Sequence, residues 1–218
     1  MATQNHRPEV RALPQVEPNF SPAGYFLRVV LWLPIFFVLW YFLAGFFNIV
    51  PGLMSQGLIN VFDSGAVLSL ESVGRKIDYV TRFVTSVEGS QRKGNVIITL
   101  NPLIYSWNIP VLLALCFAVS DRLFSNARVI LAVAALFPLH AWGLAAEFYV
   151  TILFKSAPEV AGQLSVSQWQ KEAAALCYQF GYLMLPVIGA ASLWFIANRA
   201  LIEQLITEKT GTAARASK

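Results

Sequence analysis

Between Arg28 and Asp63 run 34 consecutive residues without a single Asp, Glu, Lys or Arg, and three more windows share that property: 27 residues between Lys93 and Asp121, 18 between Arg128 and Glu147, and 26 between Glu172 and Arg199. A charge at the centre of a bilayer costs roughly 3 kcal/mol even on lenient scales, so about 20 apolar residues free of charge mark a helix that can cross one. Four windows predict four spans. Composition agrees, with 56% hydrophobic and 13% charged residues against about 45–50% and about 25% in soluble domains. The fold class expected is a mostly α membrane protein, a four-helix transmembrane bundle with a small extracytoplasmic β-hairpin or three-stranded cap between helices 1 and 2.

The expected organisation is a disordered arm over 1–23, a first helix over 24–50, an outward segment over 51–106, further helices at about 107–122, 128–154 and 167–206, and a tail over 207–218. The polar arm carries Pro8, Pro14, Pro18 and Pro22 ahead of an apolar run too long for a signal-peptide core, so the first helix is expected to stay as an anchor. Pro51-Gly52 is expected to stop it. From Leu53, apolar Met54, Leu58, Val61 and Phe62 alternate with Ser55, Gln56, Asn60 and Asp63, a period suited to a helix lying along the membrane surface.

Past Gly74 the period shortens to two. Ile77, Tyr79, Thr81, Phe83, Thr85 and Val87 share one face, and Asp78, Arg82 and Ser86 the other, which is strand chemistry. The polar run from Glu88 to Gly94 predicts a turn, Val96 to Leu100 a returning strand, and Val67 to Val73 is a candidate third strand. Open strand edges leave amides that hydrocarbon cannot satisfy, so this cap must lie outside it. Later in the chain, Ser167 and Gln170 have capping-box spacing, which would start the fourth helix before it enters lipid and set Trp169 at the interface.

Orientation follows from the Lys and Arg flanking the spans. Arg7, Arg11, Arg28, Arg122, Arg128, Arg199, Lys209, Arg215 and Lys218 fall on one side, and only Lys155 and Lys171 on the other. The richer side is expected to be cytoplasmic, which places both termini inside and the cap outside. These basic residues flank spans in ones and twos, so the net charge of +4 points to lipid headgroups as partner rather than nucleic acid.

Polar residues inside the charge-free windows are the candidates for chemistry. His140, about twelve residues past Arg128, is expected some 18 Å deep, either as a proton relay or ligand, or as a neutral imidazole hydrogen-bonded between helices near the backbone freed by Pro138. Glu147 lies two turns on along nearly the same helix face, so the two can line one groove without touching. At the depth of Glu147 the topology places Gln179, Tyr178 and Tyr182 and the Asn101 to Asn108 segment, including Tyr105. The candidate polar groove is thus His140, Glu147, Gln179, Tyr182, Asn101 and Tyr105, fit for a headgroup or polypeptide segment, with an interfacial aromatic belt and one snorkelling Glu as the plainer alternative. No catalytic residue is assigned. Cys116 and Cys177 lack a sequence-local base, His6 and His140 are too few for a His-rich metal site, and no cofactor motif appears. Pro34, Pro110, Pro138 and Pro186 give each span a proline, three of which can kink helices around a groove.

The strings Asn101-Pro102-Leu103-Ile104-Tyr105-Ser106, Ala141-Trp142-Gly143 and Tyr178-Gln179-Phe180-Gly181-Tyr182-Leu183-Met184-Leu185-Pro186 together resemble the exosortase H-associated membrane protein family. The resemblance covers most of the chain, from the first span through Asn198-Arg199. It implies a small inner-membrane protein of proteobacteria that accompanies an exosortase, a multispanning cysteine transpeptidase-like enzyme that processes proteins with a C-terminal sorting helix. The implied role is accessory; with a polar outer surface and no nucleophile–base pair, the leading expectation is a non-enzymatic partner contacting the exosortase or its sorting substrates. A lipid- or peptide-binding membrane enzyme using the outer groove, and a structural assembly factor, are the alternatives.

Overall fold

The computed structural model describes residues 21–86, 93–119, 127–199 and 202–203. The expected N-terminal arm up to residue 20, the hairpin tip at 87–92, Arg122 and the C-terminal tail lie outside them. Helix α1 spans Pro22–Phe47. Ser21 caps it, its hydroxyl accepting from the Gly24 amide at 3.3 Å, and Pro22 occupies the first turn, where a missing N–H costs nothing.

The first helix ends three residues earlier than the expected Val50. The chain bends at Asn48, and α2 (Ile49–Phe62) starts immediately, carrying Pro51 and Gly52 within its first turns. Pro51 sits where the amide would have no intrahelical partner, so it is tolerated at the start of a helix as readily as beyond the end of one. The expected helix after Leu53 is therefore present but longer.

Three strands follow, β1 (Val67–Val73), β2 (Lys76–Ser86) and β3 (Lys93–Leu100), in one antiparallel sheet of order β1-β2-β3. The two-residue Gly74-Arg75 loop between the paired Val73 and Lys76 has φ +65° at Gly74, as a tight II′ turn requires. Ile77, Tyr79 and Phe83 face inward together with Thr81, as their alternation predicts. Beyond Thr81, β2 outruns its pairing with β1. There the Gln163 side chain takes over, accepting from the Val84 amide at 3.0 Å and donating to the Val84 carbonyl at 2.7 Å.

The remaining helices are α3 (Leu103–Ser106), α4 (Asn108–Val119), α5 (Ala127–Val150), α6 (Pro158–Ala161), α7 (Gln168–Gln179) and α8 (Leu185–Ala197). A π-helical turn over Thr151–Lys155 extends α5, and another over Phe180–Met184 joins α7 to α8. The second precedes Pro186, whose ring and missing N–H disturb the regular ladder on its N-terminal side. Ser167 starts α7, its amide and hydroxyl both donating to Gln170 Oε1, at 2.7 and 3.0 Å. Of the four prolines, Pro34 and Pro138 lie inside helices, whereas Pro110 and Pro186 lie in first turns.

Among the described residues, three segments are long and apolar enough to cross a membrane: Pro22–Phe47, Ala127–Lys155 and Gln168–Ala197. The expected second span, at about 107–122, falls on the shorter apolar stretch Leu103–Val119. Two cores form. One joins the inner sheet face to Ile59 of α2 and to Leu144 and Phe148 of α5, and the other, built on Phe36, Leu112, Leu136 and Ala190, knits α1, α4, α5 and α8 together. The β1–β2 turn is also clamped to α1: the Arg75 guanidinium lies 3.7 Å from the centre of the Tyr41 ring and donates to the Tyr41 hydroxyl at 2.9 Å.

Candidate functional site

The α3–α4 segment runs against α5 with polar groups meeting in two rungs. Tyr105 donates from its hydroxyl to Glu147 Oε2 at 3.0 Å, and Asn108 Oδ1 lies 2.8 Å from His140 Nε2. Tyr105 and Asn108 ascend the chain as Glu147 and His140 descend it, so α4 and α5 are antiparallel. All four side chains are buried.

The hydrogen bonds define the tautomer of the second rung. The Asn108 carboxamide donates from Nδ2 to the Pro186 carbonyl at 3.2 Å, so its Oδ1 is the atom facing the imidazole and His140 must donate from Nε2. This leaves Nδ1 as an acceptor, buried and without a hydrogen-bond partner among the described residues. One carboxamide thereby joins α4, α5 and α8. His140 thus takes the interhelical bond anticipated as its structural alternative, with a side-chain carboxamide rather than backbone freed by Pro138 as its partner.

Glycine makes the first rung possible. A Cβ on Gly143 would fall 2.4 Å from Cδ1 of Tyr105, and one on Gly181 would fall 3.1 Å from the Gly143 Cα. The Tyr105 ring and the π-helical turn after α7 therefore both press on the same bare stretch of α5. Trp40 adds α1 to the contact, donating from its indole to the Ser106 hydroxyl at 3.3 Å.

A family model for exosortase H-associated membrane proteins matches residues 20–201. The chain belongs to that family. No curated protein and no solved structure matches it. The matched region embraces the sheet and helices α1 to α8, and the family name itself associates the protein with the exosortase H system.

The other groove candidates occupy different positions. Asn101 accepts from the Leu103 amide at 3.2 Å and so organises the entry into α3. Gln179 is exposed. Tyr182 is also exposed and stacks on Tyr178, with ring centroids 5.8 Å apart and planes 14° from parallel. The Lys155 ammonium lies 5.7 Å from the centre of the Tyr178 ring. Among the described residues the phenol hydrogen-bonded to Glu147 is that of Tyr105, not that of Tyr178 or Tyr182.

Both cysteines are free. Cys116 is buried with the Asn198 amide 3.9 Å from its sulfur, whereas His140 is engaged by Asn108. Among the described residues, no three His, Cys, Asp or Glu side chains converge as metal ligands would. In the sequence Asn108 lies in the expected polar segment, but neither its pairing with His140 nor the site-forming role of Gly143 and Gly181 is legible there. Glycines recurring on helices of a membrane protein signal close packing, but naming the ring that fills the gap requires knowing which helices are neighbours.

Proposed function

We propose that this protein is a non-enzymatic accessory subunit of the exosortase H system, and that it contacts the sorting enzyme or its substrate at the periplasmic face of the bacterial inner membrane. In this reading Leu103–Val119 is part of a fourth span, both chain ends are cytoplasmic, and the sheet and the 155–171 loop face outward. The observation that carries it is the commitment of Tyr105, Glu147, Asn108 and His140 to bonds between the protein's own helices, which makes them joints of a scaffold. Purification of the tagged protein from mild detergent tests the proposal. Co-recovery of an exosortase or a sorting substrate is expected, and recovery of neither, under conditions that keep other membrane complexes intact, would refute it.

The stack of the exposed Tyr182 on the half-buried Tyr178 beside Lys155 favours a second reading, in which the Glu147 region binds a headgroup or peptide. Alanine substitution of Glu147, Gln179 and Tyr182 separates the two. Loss of sorting at normal abundance with the complex retained supports ligand binding, and unchanged sorting excludes it. If the protein is instead an assembly factor, deleting its gene lowers the abundance of the partner.

A further inference from the structure

Helix α2 is inverted relative to a helix that faces water. Two of its three polar side chains bond inward, while Gln56 is half-buried: Ser55 is 0% exposed, donating to the Gly52 carbonyl and accepting from the Tyr79 hydroxyl, and Asn60 bonds both the amide and the carbonyl of Val67. Its outward stripe is Val50, Leu53, Met54, Gly57 and Val61, positions that recur at helical spacing and carry no polar side chain. Val61 is 79% exposed and the neighbouring Phe62 71%. The sequence period correctly indicated a two-faced helix, but of the four apolar residues that defined it only Leu58 turns toward the core, while Met54, Val61 and Phe62 face out.

The sheet beside it has the opposite exterior. Its outward face presents Glu71, Lys76, Arg82, Asn95 and Thr99 among the exposed Val73, Val84 and Ile97, so that, unlike the α2 stripe, it carries charged and polar side chains. The two exteriors meet at the Asp63–Arg82 ion pair, and Asp63 is the first charged residue after Arg28. On its other side the α2 stripe continues through Ile49 into the exposed apolar surface of α1, at Phe46 and Phe42. Between Arg28 and Asp63 neither the helix that is long and apolar enough to span a membrane nor α2 contributes a charged side chain.

We propose that the outward stripe of α2 is embedded among lipid acyl chains, in the leaflet reached by the C-terminal end of α1, and that the Asp63–Arg82 pair marks the edge of the hydrocarbon. A helix resting on the bilayer with a wet polar face would keep Ser55 and Asn60 outward, whereas here their hydrogen bonds are satisfied from within, as hydrocarbon demands. The sheet is then held against the membrane by α2 on one side and by the ends of α1 and α5 on the others. The inference is independent of which protein the cap contacts.

Depth measurement on the full chain in nanodiscs of phosphatidylethanolamine and phosphatidylglycerol tests it. A Cβ at Gly57 meets nothing within 4 Å, so Gly57→Cys accepts a nitroxide without disturbing the fold, and Val61→Cys repeats the measurement on the same stripe. The background is Cys177→Ser, with Cys116 left buried and unlabelled. Spectra should show collisions with oxygen exceeding those with a water-soluble nickel chelate several-fold at 57 and 61, and the reverse for a label at Glu71→Cys on the outer sheet face. Ready access of the chelate to position 57 would overturn the proposal. So would shielding of 57 and 61 from both reagents, which would mean that protein, including a second copy of this chain, covers the stripe.

Discussion

Tyr105 and Glu147 share a hydrogen bond of 3.0 Å inside the bundle, with the tyrosine ring pressed against the bare backbone of Gly143. The phenol reaches the carboxyl only because residue 143 has no side chain. A glutamate in the midst of an apolar helix is thereby given a donor instead of snorkelling to the surface.

Tyr105→Phe removes that donor and leaves a carboxyl oxygen with less compensation in a buried setting, a change that costs on the order of 1–3 kcal/mol. Unfolding in detergent micelles should show the loss. Glu147→Gln keeps an acceptor opposite the phenol and should cost less than Tyr105→Phe, and a reversal of this order would show that the bond is not what holds the pair.

Gly143→Ala would place a methyl 2.4 Å from a ring that is 1% exposed and has nowhere to withdraw. Overpacking of this kind costs about 1–3 kcal/mol. Gly181→Ala meets backbone at 3.1 Å and must push the π-helical turn off α5, so it too should destabilise, whereas Gly57→Ala, facing open space, should not. Thermal scans of the three variants in one detergent give the comparison.

Tyr79 lies in the sheet, where burial is the main cause that raises its phenol from 10.0 to about 12. The unfolded chain loses this proton at lower pH than the folded one, so the contribution of Tyr79 is intact below pH 10 and declines as pH rises from 10 toward about 12. Tyr79→Phe should flatten that part of the stability curve relative to wild type. Equal slopes in the two proteins would contradict the assignment.

Gln163 stands in for a missing strand at Val84. Gln163→Ala should therefore speed hydrogen exchange at the Val84 amide while leaving Tyr79, deep in the paired region, unchanged. Mass-spectrometric exchange of peptides from the 76–86 strand reads both sites.

Much of this was legible in the residues. The alternation from Ile77 to Thr85 appears as β2, Val67 to Val73 as β1, and the Ser167–Gln170 spacing as the cap of α7, because each is a local pattern with a local cause. Pro51-Gly52 misled because proline is compatible with either side of a helix boundary, and only the bend at Asn48 shows which applies. The His140–Asn108 pair was not legible for a different reason: 32 positions separate the two, and the bond exists because α4 and α5 lie side by side.

By itself the sequence determined which stretches can leave water, since the cost of taking a charge into hydrocarbon is set by the residue and hardly by its neighbours. It also determined where the chain changes from helical to strand repeat. Only the tertiary structure decided which face of α2 turns outward and which polar side chains find one another. Those outcomes depend on the neighbour or solvent each surface meets, and a periodic pattern reports that a helix has two faces without saying which of them packs inside.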